Sequence, residues 1–281
     1  MDRRRNVELV VLSDVHLGTS GSHATELLKY LKSIKPKTLV LNGDIIDIWQ
    51  FRKQFFPKSH LKVVKHLIGL ASDSCKVYYI TGNHDEMFRK FSGMKIGKLR
   101  IMNELKLELN GKKVWFFHGD VFDVVMQNSK WLAKLGAIGY DGLILLNTFI
   151  NMITKFLELK PVSFSKKIKQ SVKGAVKFVN AFEVTAANVA SRKGIDCIVC
   201  GHIHQPEMRE IQVEKHSISY LNSGDWIENL TSLEYNKGSW RVFSYRKDFV
   251  EQSSEAEADF EKMVDLEVKD LFKNMLIDFS N

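Results

Sequence analysis

Thr38-Leu39-Val40-Leu41 is a short apolar run, partly β-branched, that stops at Asn42-Gly43 and is followed at once by Asp44. Such a run, bounded by turn residues, reads as a buried strand. A carboxylate just past its end stands at the rim of a sheet, where open α/β folds place their ligands. Alone, Asp44 reads equally well as a turn or cap aspartate. Four other apolar runs end in the same kind of residue: Asp14-Val15-His16, Gly82-Asn83-His84-Asp85, His118-Gly119-Asp120 and Gly201-His202-Ile203-His204. Five strand ends carrying Asp, His or Asn constrain the fold to one that brings those ends together, with Asp44 at the point of convergence.

The rest of the chain fits that requirement. Val7–Leu12 reads as a first strand. Thr25–Ile34 reads as a helix facing inward through Leu27, Leu28 and Leu31, and ended by Pro36. After the Thr38 strand, His60–Ala71 is expected to be a second helix with Leu61, Val64, Leu67 and Ile68 on its apolar face, and Lys76–Ile80 a third strand. Strand, helix, strand, helix, strand argues for a parallel α/β core. Leu105–Leu109 and Lys113–Phe117 flank Asn110-Gly111, a strong hairpin signal. Residues 121–193 lack strand signals and are expected to form a helical cap inserted into a core made of 1–120 and 194–250. Within the cap, Leu143–Leu159 is apolar with a narrow polar stripe at Asn147, Asn151, Lys155 and Glu158. Short strands follow around Ile218–Leu221, Leu230–Tyr235 and Trp240–Tyr245. Residues 251–281 read as an acidic helical tail.

Charge and cysteines narrow the class. The net charge is +8, and nine basic residues against two acidic ones fall between Lys155 and Lys193. A local basic block favours an anionic partner. No aromatic-interleaved basic stretch accompanies it, so a nucleic-acid platform is not expected. Three cysteines exclude a disulfide framework. Cys197 and Cys200 lie in one apolar run, on opposite faces of a strand, and read as a buried structural pair rather than a zinc or redox motif. Reduced cysteines suit a cytoplasmic protein. No run of about eighteen apolar residues marks a membrane span.

At the converging strand ends, the candidate metal ligands are Asp14, His16, Asp44, Asn83, His118, His202 and His204. A mixed set of imidazoles, carboxylates and an amide oxygen suits Mn²⁺, Fe²⁺ or Zn²⁺ better than Ca²⁺ or Mg²⁺. Seven candidates exceed what one four-coordinate ion needs. They suit two divalent ions about 3.5–4 Å apart with one carboxylate, Asp44, between them.

The ordered series Asp14-x-His16, Gly43-Asp44, Gly82-Asn83-His84-Asp85, His118-Gly119-Asp120, Gly201-His202-x-His204 resembles the calcineurin-like metallophosphoesterases, over residues 7 to about 225. The resemblance implies a four-layer α-β-β-α sandwich with a dimetal centre at the strand ends. It implies Asp14, His16, Asp44 and His204 on one metal, and Asp44, Asn83, His118 and His202 on the other, Mn²⁺ being the first expectation. It also implies a hydroxide attacking phosphorus in line, with His84 over the phosphate as catalytic residue and Asp85 orienting its ring; Asp85 and Asp120 read equally well as caps or as partners of the ligand histidines. The basic helical insert, Asp44-x-x-Asp47-x-Trp49 and Gly224-Asp225-Trp226 resemble the UDP-2,3-diacylglucosamine diphosphatases of lipid A synthesis. That narrower resemblance implies a lipid-linked nucleotide sugar as substrate, Lys173 and Lys177 as phosphate contacts, and peripheral contact with the cytoplasmic face of an inner membrane. The best-known members carry Arg where this chain has His84. The alternatives are a phosphodiesterase or phosphatase for a soluble nucleotide or nucleic acid, and a non-catalytic scaffold.

Overall fold

The computed structural model describes residues 4–48, 55–123, 165–214 and 216–251, the side chains of 165–178 and 249–251 excepted. The chain opens β1 (Arg5–Leu12), α1 (Ala24–Ser33), β2 (Ile34–Asn42), α2 (Lys58–Ser72), β3 (Lys76–Ile80). The three strands lie side by side and parallel, with Val10 opposite Leu39 and Val40 opposite Tyr78, so the alternation read from the sequence holds. A short hairpin, β4 (Lys95–Ile96) and β5 (Leu99–Met102), extends this sheet beyond β3, and β11 (Thr231–Asn236) and β12 (Ser239–Ser244) extend it beyond β1.

The second sheet is built from β6 (Glu104–Leu109), β7 (Lys112–Phe117), β8 (Cys197–Cys200), β9 (Glu207–Val213) and β10 (His216–Asn222), in the order β6-β7-β8-β10-β9. Asn110 and Gly111 both take positive φ, at 49° and 76°, and close the two-residue hairpin between β6 and β7 as the Asn-Gly pair predicts.

Three apolar clusters define the layers. Leu9, Val11, Val40, Phe116, Val199 and Leu233 fill the space between the two sheets. Leu27, Leu31 and Val63, on α1 and α2, pack with Val10 and Leu39 on the outer face of the first sheet. A long helix, α3 (Ser165–Arg192), covers the second sheet with Phe182, Ala186, Ala187 and Ala190, all fully buried, against Ile198 and Tyr220. The result is the expected α-β-β-α sandwich. Cys197 faces the inter-sheet cluster and Cys200 the outer one, both as free buried thiols. Burial pushes each thiol up to about 12, which keeps it protonated and inert.

Several expectations are corrected. The end of α3 belongs to the sandwich, not to a separate cap. Its three alanines let the helix backbone approach the sheet closely, a signal hidden among the surrounding basic residues. Residues 124–164 of the expected cap, with Leu143–Leu159, and residues 252–281 of the expected tail lie outside the described residues. The first helix ends at Ser33, and Pro36 sits inside β2 opposite Val7. It is tolerated because β3 begins to pair only at Thr38, so β2 has a single neighbour there. On α2, Val64 and Leu67 pack against the core as expected, whereas Leu61 and Ile68 are exposed and the buried positions are His60, Val63 and Ala71. The His60 Nδ1 accepts a hydrogen bond from the Gly18 N–H at 2.9 Å, which turns a polar residue inward and rotates the helix from its most apolar side.

Candidate metal centre

The predicted strand ends meet where the two sheets close on each other. The loops after β1 and β2 run together as a parallel ladder: Asp14 N–H donates to the Gly43 carbonyl at 3.1 Å, and His16 N–H to the Asp44 carbonyl at 2.9 Å. The second sheet is latched to them by Asn42, whose side-chain amide donates to the carbonyls of Phe117 and Val199 at 3.0 and 3.4 Å. Asp14, His16, Asp44, His202 and His204 all hold φ between 50° and 65°, making up five of the nine non-glycine residues in that region among the described residues. Asp and His enter this region more readily than most side chains. Such strain, on the order of 1–3 kcal/mol per residue, persists where the fold imposes it, and it clusters at functional sites.

Close approach is secured by glycine. A Cβ on Gly82 would stand 2.2 Å from Asp44 Oδ1, and one on Gly201 would stand 2.5 Å from Asp14 Oδ2. These carboxylate oxygens also accept backbone hydrogen bonds: Asp44 Oδ1 from the His84 N–H at 2.8 Å, Asp14 Oδ2 from the His202 N–H at 2.9 Å.

Six of the seven expected ligands gather into two groups whose donor atoms lie within 4.8 Å of one another: Asp14, His16 and His204, and Asp44, His118 and His202. Asp14 Oδ1 is 3.1 Å from His204 Nε2, Asp44 Oδ2 is 3.2 Å from His118 Nε2, and the same Asp44 oxygen is 4.0 Å from His16 Nε2. Asp44 therefore stands between the groups. Asn83, the seventh, has a buried Oδ1 with no hydrogen-bond partner, one residue before the His84 N–H that holds Asp44. His84 itself joins His16 and Asp44 in a third group, with its ring centroid 4.6 Å from that of His16.

An outer set of groups orients these rings. The His118 Nδ1 donates to the Asn42 carbonyl at 2.9 Å, leaving Nε2 for the centre. His202 Nε2 is bonded to Asp123 Oδ2 at 2.9 Å, leaving Nδ1. Asp225 Oδ2 lies 3.8 Å from His204 Nδ1. The carboxylate that holds His84 is Asp47, whose Oδ2 is 3.0 Å from His84 Nδ1 and 3.7 Å from His16 Nδ1. This overturns the ring-orienting reading of Asp85 and leaves its reading as a cap. That carboxylate is buried and turned inward, accepting from the Ile45 N–H, the Gly82 N–H and the Tyr79 hydroxyl at 3.0, 2.6 and 2.6 Å. It fixes the turn that carries Asn83 and His84. Asp120 is paired with Arg89, which joins two ligand-bearing loops. Lys173 and Lys177 belong to α3, but their side chains lie outside the described residues.

Two buried carboxylates dominate the electrostatics. Burial alone would raise the Asp44 pKa, but His118 outweighs it and lowers the group to about 2. Asp14 is likewise held below the usual carboxylate range by His204, His118 and His16 in spite of its burial. In return, His204 rises to about 9, burial opposing and Asp14 prevailing, and His118 rises well above its ordinary value beside Asp44 and Asp14. The centre thus draws positive charge onto itself. His16 Nε2, His118 Nε2, Asn83 Oδ1 and Asp14 Oδ1 are buried without hydrogen-bond partners. Unsatisfied N and O donors converging around anionic charge fit divalent cations, which would replace the protons.

The model of the calcineurin-like phosphoesterase family matches residues 7–206, and the chain belongs to that family. Among curated relatives, it is similar to a UDP-2,3-diacylglucosamine hydrolase of Stenotrophomonas maltophilia (strain K279a), 23% identical over 241 residues, covering 82% of this chain and 96% of the relative. The enzyme of the same name from Blochmanniella pennsylvanica is 24% identical, covering 82% of this chain and 93% of the relative. A solved structure described as a novel archaeal phosphodiesterase is 11% identical, covers 84% of this chain and 98% of its own, and superposes with a TM-score of 0.40.

Proposed function

We propose that this phosphoesterase hydrolyses the pyrophosphate of UDP-2,3-diacylglucosamine, with Asp14, His16, Asp44, Asn83, His118, His202 and His204 holding two divalent ions, Mn²⁺ first among them. The observation that carries the reading is the pair of donor groups with Asp44 standing between them. The substrate is supported by relatives of that name spanning most of both chains. When bound, the ions would neutralise phosphate oxygens and lower the pKa of a water.

The chain's own residues supply the rest. His84 donates Nδ1–H to Asp47, so its Nε2 is the nitrogen turned to the phosphate. Burial works against its proton, but the Asp47 hydrogen bond and the Asp44 charge prevail and raise its pKa. An imidazolium there can place a proton on the leaving phosphate oxygen. Asp47 positions it, and Asp85 with the Tyr79 hydroxyl holds the turn beneath it.

His84 also favours a second reading. The best-known members of the diphosphatase family that this chain resembles carry Arg at this position, and His is the general phosphoesterase pattern, so a soluble nucleotide diester is the competing substrate. Hydrolysis of UDP-2,3-diacylglucosamine with Mn²⁺, set beside bis-p-nitrophenyl phosphate and with Asp44→Ala as control, separates the two. Turnover of the lipid at kcat/KM of about 10⁴ M⁻¹s⁻¹ or more, lost in the variant, supports the first reading. Turnover of the diester alone overturns it and leaves the second.

A further inference from the structure

Ten large apolar residues are exposed on the described surface, and seven of them fall between Phe55 and Ile96. They lie on two packed segments. On α2, Leu61 and Ile68 share one side, 59% and 58% exposed. Next to it, Met87, Phe91, Met94 and Ile96 line the stretch that leads from the His84 turn into β4 and β5. The segments are joined: Lys98 N–H donates to the Ala71 carbonyl at 3.4 Å, Ile101 N–H to the Met94 carbonyl at 3.0 Å, and Ile96 pairs with Leu99. Between them opens a cavity of about 170 Å³, lined by Val64, Leu67 and Ile68 of α2, by Leu99 and Ile101 of β5, and by Phe88, with almost no polar surface. Ile68 lines it and is itself exposed.

The same two segments are basic. Lys58, Lys62, Lys65, Lys90, Lys95 and Lys98 are all exposed, and Glu86 is the only acidic residue within 55–72 and 86–102. Exposed apolar side chains interspersed with lysines, around an apolar cavity, match an interface with anionic headgroups above and alkyl chains below. Soluble surfaces seldom gather apolar residues in this way. A nucleic acid would use the charge but leave the apolar strip and the cavity exposed.

We propose that this face docks on an anionic lipid bilayer, with the cavity receiving the end of a lipid alkyl chain. It is a different part of the chain from Leu143–Leu159. Because the Glu86–Phe91 turn begins two residues after His84, docking here sets the metal centre beside the membrane surface. Nothing in this surface is a metal ligand, so vesicle binding and hydrolysis of a soluble diester are separable readouts.

The test is sedimentation of the full-length protein with vesicles of phosphatidylcholine, with and without about one third phosphatidylglycerol. Binding is expected only to the anionic vesicles and should weaken as salt rises. Lys62→Glu with Lys65→Glu, and separately Ile68→Asp with Ile96→Asp, should each weaken partitioning at least about tenfold. Bis-p-nitrophenyl phosphate turnover and helical circular dichroism should stay at wild-type levels. Val184→Asp, at an exposed site on α3, should bind as wild type. Equal binding to neutral vesicles, absence of binding, or undiminished binding by both double variants would overturn the proposal. So would a wild-type dimer in solution that Ile68→Asp with Ile96→Asp makes monomeric, since the occupant would then be a second copy.

Discussion

Replacing Gly82 with Ala tests the apposition on which the centre depends. The glycine lies where β3 passes into the Asn83-His84-Asp85 turn, and its backbone is not in the left-handed region, so Ala meets no conformational penalty there. The added Cβ would stand 2.2 Å from Asp44 Oδ1, 2.7 Å from the Asp44 backbone nitrogen and 2.8 Å from Cδ2 of His118. Ordinary contact begins at 3.4 Å. The carboxylate could rotate away, but the backbone nitrogen cannot, because the Asp44 carbonyl accepts hydrogen bonds from Val15 and His16. One loop must therefore retreat by several tenths of an ångström, up to about 1 Å. Overpacking of this kind destabilises by about 1–3 kcal/mol, or roughly 3–10 °C in Tm for a domain of this size. Misplacement by about 1 Å reduces turnover by about 10²-fold. Mn²⁺-dependent hydrolysis of bis-p-nitrophenyl phosphate, a thermal melt and calorimetric Mn²⁺ binding would measure all three effects. Gly69→Ala is the control: it is an exposed position on α2 with nothing within 4 Å of the new Cβ, and should stabilise by about 0.5–1 kcal/mol with turnover unchanged. Wild-type melting and turnover in Gly82→Ala would refute the close packing of these two loops.

Asp47→Asn should reduce turnover of the pyrophosphate, whose leaving group needs a proton, by about 10²-fold or more, while the p-nitrophenyl ester loses little; equal losses on both would contradict the proton-donor role of His84. Metal binding near pH 7.5 should release protons, because His118 and His204 carry raised pKa values in the metal-free chain, the latter about 9. Calorimetry in buffers of different ionisation enthalpy would detect it, and a buffer-independent heat would count against it. Glu234 is buried and accepts from Arg5, Arg241 and the Tyr30 hydroxyl; burial opposes its charge, but the two arginines prevail and lower its pKa. Its contribution should be fully present above the ordinary Glu pKa of about 4.3 and lost as pH falls through the lower folded value. Glu234→Gln should therefore flatten the acid limb of the stability curve, and an unaltered limb would rule this out.

The sequence reveals most where chemistry and secondary structure coincide. Each ligand follows an apolar run and lies beside a glycine or close to another ligand, so strand ends and candidate site are legible together. The partner of His84 is not. Asp85 is its neighbour in sequence, yet neighbouring side chains here point apart, and the carboxylate that reaches the ring comes from Asp47 on another loop. Asp123 and Asn42 are illegible for the same reason: their targets, His202 and the ends of β7 and β8, are distant in sequence. The inward face of α2 was obscured by His60, which periodicity counts as polar. The Ala186, Ala187 and Ala190 face of α3 was obscured by the basic charge before it.

Neither donor group belongs to one half of the sandwich. Asp14 and His16 extend from the first sheet and meet His204 from the second; Asp44 extends from the first and meets His118 and His202 from the second. A cation in either position would act as a rivet through the seam between the sheets. Without it, the carboxylates Asp14 and Asp44 of the first sheet are held to the second only through the protons on His204 and His118, and the seam should breathe. Chelation should then raise amide exchange not only at the ligands but along Asn42, Phe117 and Val199, where the first sheet is clamped to the second. The ion that serves the reaction would also set how firmly the two halves are closed.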